Sequence, residues 1–228
     1  MKKQGYIFDL DGVIVDTARF HFLAWKKVAR LFGFDLTMEL NEKLKGVSRI
    51  DSLNKILEWA GTSISSDEFD NLALKKNEDY LKFVAKMNQQ DILPGVSSFI
   101  NQLKEEKAPI ALGSASKNAP GILKKVGLYN MFDAIVDGNS VTKAKPDPEV
   151  FLIAAKKLNV KPENCIVFED SEAGVEAANI AGMISIGLGD KKVLGHADHV
   201  FSNFTEIDIE FIKKLDRKKN ESRLYNTK

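Results

Sequence analysis

Apolar positions along the chain follow two alternating patterns. Short runs at Tyr6-Ile7-Phe8, Pro109-Ile110-Ala111-Leu112, Ala134-Ile135-Val136, Ile166-Val167-Phe168 and Ile184-Ser185-Ile186 predict strands buried on both faces, and His199-Val200-Phe201 predicts a late edge strand. Between them, apolar residues recur at helical spacing over 96–106, 119–126, 148–158 and 173–181. Strand–helix alternation of this kind predicts an α/β core, a Rossmann-like doubly wound parallel sheet with helices on both faces.

One stretch breaks the alternation. From 17 to 87 the periodicity is helical and no run reads as a strand. Phe20, Leu23, Ala24, Val28 and Leu31 make one stripe, with Gly33 as a stop. Leu53, Ile56, Leu57 and Ala60 make a second stripe closed by Gly61, and Phe69, Leu72, Ala73, Lys76 and Tyr80 make a third. The expectation is a four-helix cap, residues 17–88, inserted after the first strand of a core formed by 1–16 and 89–228, with hinges near Asp16-Thr17 and over 88–93. The polar, charged tail over 216–228 is expected to fray.

Composition narrows the function classes. The chain has 228 residues, 44% hydrophobic and 29% charged, as in ordinary globular proteins. A net charge of +1 provides no general field for nucleic acid or an anionic membrane, so any phosphate must be held by a local cluster. No apolar run has the length of a membrane span, and the first residues lack the apolar stretch and cleavage site of a secretion signal. Cys165 is the only cysteine and lies in an apolar run, which reads as a buried core position. A monomeric cytoplasmic protein is expected.

The polar residues that matter stand at predicted strand ends. The first strand runs into Asp9-Leu10-Asp11-Gly12, the second into Gly113-Ser114-Ala115-Ser116-Lys117-Asn118. Lys143-Ala144-Lys145-Pro146-Asp147-Pro148 follows the third, and Glu169-Asp170-Ser171 the fourth. Open α/β sheets bind ligands beyond the carboxyl ends of their strands, and four successive ends here deliver carboxylates, a hydroxyl, an ammonium and carboxylates again. Asp-Leu-Asp-Gly alone is equally well a solvated turn, Ser114 a helix cap and Lys145 a surface lysine; the ordered set argues for a site. A carboxylate that attacks a phosphoryl group needs a divalent cation to bridge the two anions, and Mg2+ prefers hard oxygen ligands. Asp9, Asp170 and a backbone carbonyl near Asp11 would supply them, with Glu169 behind, while Lys145 and Ser114 would meet the phosphoryl oxygens. Lys145-Pro146 is a candidate cis bond.

These four motifs resemble those of the haloacid dehalogenase superfamily of phosphotransferases, over essentially the whole chain. Asp16-Thr17-Ala18-Arg19-Phe20-His21, Leu44-Lys45-Gly46-Val47-Ser48-Arg49 and Ser114-Ala115-Ser116-Lys117-Asn118 further resemble its phosphomutase branch, which interconverts β-glucose 1-phosphate and glucose 6-phosphate. That resemblance implies Asp9 as nucleophile, Asp11 as general acid/base, and Thr17 and His21 as groups positioning Asp11. It implies one Mg2+ held by Asp9, Asp11, Glu169 and Asp170, and β-glucose 1,6-bisphosphate as the activating intermediate. It places Lys45, Gly46, Arg49, Ser52 and Lys76 on the cap side of a small phosphosugar, and Ser114, Ala115, Ser116, Lys117 and Asn118 around its phosphates. Gly113, where alanine is expected, and Asp147, where a small residue is common, depart from the pattern without removing a catalytic group.

Lys45 and Arg49 are four apart and would share a face on a helical turn, as a phosphate subsite or as a solvated basic face. A phosphatase of small sugar phosphates would use the same nucleophile. A non-catalytic phosphosugar-binding module has no need of Asp9, Asp11, Lys145 and Asp170 together.

Overall fold

The computed structural model describes residues 4–215, so the expectation for 216–228 lies outside the described residues. Its centre is a six-stranded parallel sheet of β1 (Gly5–Phe8), β2 (Ile110–Gly113), β3 (Ala134–Val136), β4 (Cys165–Glu169), β5 (Ile184–Leu188) and β6 (His199–Phe201) in the order β3-β2-β1-β4-β5-β6. The chain steps outward from β1 to β3 and then returns to place β4 on the other side of β1. That reversal opens a crevice between the carboxyl ends of β1 and β4, the usual ligand position in this architecture.

Side chains alternate across the sheet with a period of two. Tyr6 and Phe8 of β1 and Ile166 and Phe168 of β4 enter one apolar layer, while Ile7, Cys165 and Val167 enter the opposite one. The first layer is closed by α5 (Val96–Glu105), α6 (Ala119–Lys125) and α10 (Ile209–Lys213). The second is closed by α7 (Glu149–Leu158) and α8 (Glu172–Ile180), with α9 (Lys191–Leu194) beside β5 and β6. An aromatic cluster fixes the first layer directly beneath the crevice. Phe8 stacks on Phe168 with ring centres 4.7 Å apart, and Phe99 meets Phe168 edge-on at 5.3 Å. Phe204 lies 5.1 Å from Phe99 and 5.2 Å from Phe168.

Between β1 and β2 the chain is helical: α1 (Ala18–Arg30), α2 (Met38–Glu42), α3 (Arg49–Trp59) and α4 (Ser66–Val84) precede α5. Three of these starts carry local signals. Thr37 and Ser48 cap α2 and α3, and Ser65 with Glu68 forms a reciprocal capping box on α4. The helices share their own apolar cluster, which includes Trp25, Val28, Leu36, Leu53, Ile56 and Ala73. The buried stripe of α1 is Ala24, Trp25, Val28 and Ala29, whereas Leu23 and Leu31 are 48% and 60% exposed. The expected stripe is therefore rotated, because the indole of Trp25 takes the interior position beneath the Lys76 ammonium, 4.5 Å from the ring centre.

The two connections between these helices and the sheet run side by side. The Asp16 amide donates to the Asp91 carbonyl at 3.1 Å, and the Leu93 amide donates to the Ile14 carbonyl at 3.0 Å. Arg19 adds a side-chain bond to Asp91 at 3.1 Å. Among the described residues no helix is long and apolar enough to cross a membrane.

Removing the Phe99 ring, 3% exposed and touching Phe8, Phe168 and Phe204, should cost about 3–5 kcal/mol of stability. Urea denaturation of Phe99→Ala checks this; a midpoint within error of the native protein would contradict the packing described.

Candidate active site

The chain leaves β1 through Asp9, whose amide donates to the Phe168 carbonyl of β4 at 3.0 Å. That bond holds the Asp9 carboxylate level with the end of β4. Lys145, on the loop after β3, crosses beneath it: Nζ lies 2.6 Å from Asp9 Oδ1, 2.5 Å from Glu169 Oε1 and 3.2 Å from the Gly113 carbonyl. The Lys145-Pro146 bond is cis. Glu169 is further held by the Ser171 amide at 3.0 Å and the Ser171 hydroxyl at 2.8 Å. Burial opposes the charge on Lys145, but Asp9 and Glu169 outweigh it and raise its proton affinity. The charged form is therefore favoured beside the nucleophile candidate.

Asp11 lies in a tight loop in which the Ile14 and Val15 amides both donate to the Leu10 carbonyl, at 2.9 and 3.1 Å. Gly12 makes the loop possible. Its φ is +77°, and a methyl group there would overlap the Asp170 carboxylate. The Thr17 hydroxyl donates to Asp11 Oδ1, and His21 Nε2 stands 3.6 Å from the same oxygen. His21 Nδ1 faces Lys76 Nζ at 2.8 Å. When Lys76 is an ammonium it can only donate, so Nδ1 accepts and the proton of a neutral ring then sits on Nε2, on the Asp11 side. Burial and then the Lys76 charge hold the His21 ring below its ordinary proton affinity. Burial alone would raise the Asp11 carboxyl; His21 and the Thr17 hydroxyl outweigh it and keep Asp11 below the usual range. Lys76 lies over the rings of Trp25 and Tyr80, and burial followed by Arg49 lowers it to about 7.

The loop between α2 and α3 brings further charge from above. Gly46, with φ +69°, packs against Ser171, and a Cβ at that position would fall 2.6 Å from the Ser171 hydroxyl. This turn separates Lys45 from Arg49, which do not share a helical face as their spacing predicts. Lys45 Nζ binds Asp170 Oδ2 at 3.1 Å and Glu42 Oε2 at 2.9 Å, on the Asp9 side. Arg49 opens α3 and turns toward α4, where Nη2 donates to Asn77 Oδ1 at 2.7 Å. Asn118 Nδ2, from the sheet side, donates to the same oxygen at 3.0 Å. Below it the Ser116 amide donates to Ser114 Oγ at 3.1 Å, and the Asn118 amide to Ser116 Oγ at 3.3 Å. Ser52, Ala115 and Lys117 join the lining of a cavity of about 690 Å³ that has Asp9 and Asp11 at its floor.

Two of the floor carboxylates are short of positive charge. Burial, and then Glu169 and Asp11 against the pull of Lys145, lifts Asp9 well above the usual carboxylate range. Burial lifts Asp170 to about 7 even with Lys45 beside it. A divalent cation between Asp9 and Asp170 would relieve both; the Lys45 ammonium already stands beside Asp170. Glu169 is committed to Lys145 and Ser171, and among the described residues no three His, Cys, Asp or Glu side chains converge as a ready metal cage. The donor set thus fits an ion with two carboxylates, a backbone carbonyl and open positions, with Glu169 one step removed.

A parallel sheet with this carboxylate–lysine–carboxylate crevice at its reversal point defines a phosphoryl-transfer type of site. Residues 6–188 match the haloacid dehalogenase-like hydrolase family, and the chain belongs to it. It is 42% identical to a β-phosphoglucomutase of Bacillus subtilis over 208 residues, covering 90% of this chain and 92% of that one. A phosphorylated carbohydrates phosphatase of Thermotoga maritima is 32% identical, covering 86% and 92%. The crystal structure of a β-phosphoglucomutase from Clostridium difficile superposes with a TM-score of 0.89 at 41% identity, covering 97% of this chain and 99% of that one.

Three residues of the site carry no sequence signal of their own. Asn77 lies within the polar run Lys75-Lys76-Asn77-Glu78; Glu42 and Ser171 become recognisable only through Lys45 and Glu169.

A lysine lowered to about 7 leaves a pH signature. Between about pH 7 and the ordinary lysine range near 10.4, the unfolded chain holds a proton that the folded chain lacks, so stability rises with pH. Comparing urea midpoints across that window, the native protein should gain stability relative to Lys76→Met. Parallel profiles would contradict the burial of Lys76.

Proposed function

We propose that the chain is a Mg2+-dependent phosphomutase that interconverts β-D-glucose 1-phosphate and D-glucose 6-phosphate through β-glucose 1,6-bisphosphate and a phosphoryl group on Asp9. The observation that carries this reading is one cavity with two anion-binding ends: Asp9 clamped by Lys145 on the floor, Arg49 and Asn118 on the opposing walls. A phosphatase needs the first end alone. A mutase must hold a bisphosphate in either of two orientations and therefore needs both.

Asp9, Asp170 and a backbone carbonyl near Asp11 would hold one Mg2+, which supplies charge neutralisation between the attacking carboxylate and the phosphoryl oxygens. With Asp9 phosphorylated, Asp11 takes the proton of the C6 hydroxyl of β-glucose 1-phosphate. The hydroxyl oxygen bonds phosphorus, and the bond from phosphorus to Asp9 breaks. The resulting bisphosphate turns end for end. Asp9 then attacks the C1 phosphoryl group, and Asp11 returns its proton to the departing C1 oxygen, releasing glucose 6-phosphate. Lys145 and Ser114 meet the phosphoryl oxygens during both transfers. Asp11 at rest is held ionised by Thr17 and His21, which suits it to begin as the base. Lys45, Gly46, Ser52 and Lys76 face the sugar from above, and Ala115, Ser116 and Lys117 line the end distal to Asp9.

The division of labour follows the connections. Residues 17–88 act as a cap over a core of 1–16 and 89–228, and the paired segments at Asp16-Thr17 and 88–93 are the hinges. Closure brings Lys45, Arg49 and Lys76 over the substrate and excludes water from the acyl phosphate. The partner is a small phosphosugar, and a monomer in the cytoplasm suffices for every role assigned.

Purified protein given Mg2+, β-glucose 1-phosphate and a trace of bisphosphate should form glucose 6-phosphate with little free phosphate, and the α-anomer should not react. Asp11→Asn should reduce turnover by about 10²–10⁴-fold, as expected when a general acid/base is lost. Dominant release of free phosphate from the native protein would favour the phosphatase reading that the Thermotoga maritima relative represents.

A further inference from the structure

Asn77 has no charge, no place in the proton path and no contact with Asp9, yet its amide oxygen is shared by two donors from opposite walls of the cavity. Arg49 Nη2 reaches it from the start of α3 at 2.7 Å, and Asn118 Nδ2 reaches it from the sheet side at 3.0 Å. Asn77 itself lies on α4 and lines the cavity. An amide oxygen accepts two hydrogen bonds, so this one is saturated.

We propose that Asn77 is the positioning residue of the second phosphate subsite, a neutral strap that assembles Arg49 and Asn118 into one anion-binding pair. The proposal deepens the phosphomutase reading and rests on it for the identity of the anion. Three features of the geometry support it. First, the strap spends only part of each donor. Arg49 has five N–H groups in a fixed fork and Asn118 has a second amide hydrogen, so both retain hydrogen-bond capacity toward a phosphate.

Second, the strap joins parts of the chain distant in sequence. Residues 49 and 77 belong to the helical segment, and residue 118 precedes α6 against the sheet. The pair exists only when the two parts are in register, so assembling the subsite and seating the helices over the cavity are one event. Third, the strap is neutral. A carboxylate in its place would orient Arg49 equally well, but would form an ion pair with it and compete with the incoming anion. Lys45 shows that alternative nearby, where Asp170 and Glu42 already hold the ammonium. Burial lowers the proton affinity of Arg49, as expected for a guanidinium without a facing carboxylate.

The test compares Asn77→Ala and Asn77→Asp with the native protein, measuring the KM and kcat for β-glucose 1-phosphate and, by calorimetry, the dissociation constant for glucose 6-phosphate. Loss of a shared acceptor worth about 1–2 kcal/mol should raise KM and the dissociation constant by about tenfold in the alanine variant, with kcat falling by a smaller factor. The aspartate variant should bind glucose 6-phosphate more weakly than the alanine variant. Unchanged KM and affinity in Asn77→Ala, or a fall in kcat alone, would overturn the positioning role. Native affinity in Asn77→Asp would overturn the requirement for neutrality. Calorimetry needs no turnover, so a native protein that binds glucose 6-phosphate without isomerising it would defeat the phosphomutase reading and still leave the strap to be judged on affinity.

Discussion

The site is governed by the crowding of carboxylates in a buried crevice. Asp9, Asp11, Glu169 and Asp170 stand at the ends of two adjacent strands, with Lys145 beside Asp9 and Glu169, Lys45 beside Asp170, and His21 and Lys76 on the Asp11 side. Like charges out of water are costly, and the cost appears as the raised proton affinities of Asp9 and Asp170. Lys145 bridges Asp9 and Glu169 at rest, and the Gly113 carbonyl takes a further bond. Lys45 arrives on a loop outside the sheet, where Glu42 and Asp170 both hold it.

Everything around the crevice either positions one of those charges or controls what reaches it. The aromatic cluster beneath β1 and β4 holds the two strand ends level. Gly12 lets the loop after β1 pass against Asp170. Thr17, His21 and Lys76 form a chain of contacts from the helical segment back to Asp11, so the Asp11 carboxylate is tuned by residues outside the sheet. Asp11 follows Asp9 by two residues on the loop leaving β1, but the groups that touch it, Thr17 and His21, lead into and lie on the helical segment, so the setting of Asp11 depends on how that segment sits against the sheet.

Much of this was legible in the amino-acid order. Parallel strands covered on both sides are apolar throughout, so the runs at Tyr6-Ile7-Phe8 and Ile166-Val167-Phe168 mark β1 and β4 to within a residue or so of their ends. The ligand edge follows from which ends carry Asp9, Ser114, Lys145 and Asp170. The helical segment was read less well. Counting apolar residues on α1 put Leu23 and Leu31 inside, because spacing cannot reveal that the Trp25 ring fills the interior. No stripe marked α2, a helix of five residues held by the Thr37 cap. Four-residue spacing joined Lys45 to Arg49, but the left-handed turn at Gly46 sends the two side chains to opposite ends of the cavity. Asn77 was invisible because its role consists of contacts with residues distant in sequence.

The most direct test of the account is the chemical identity of the phosphorylated residue. Protein mixed with Mg2+ and an acyl phosphate donor, quenched and reduced with borohydride, should yield a peptide in which Asp9 has become homoserine, the product expected from an aspartyl phosphate. Reduction at any other residue, or equal incorporation of phosphate into Asp9→Asn, would contradict the claim that the Asp9 carboxylate carries the transferred group.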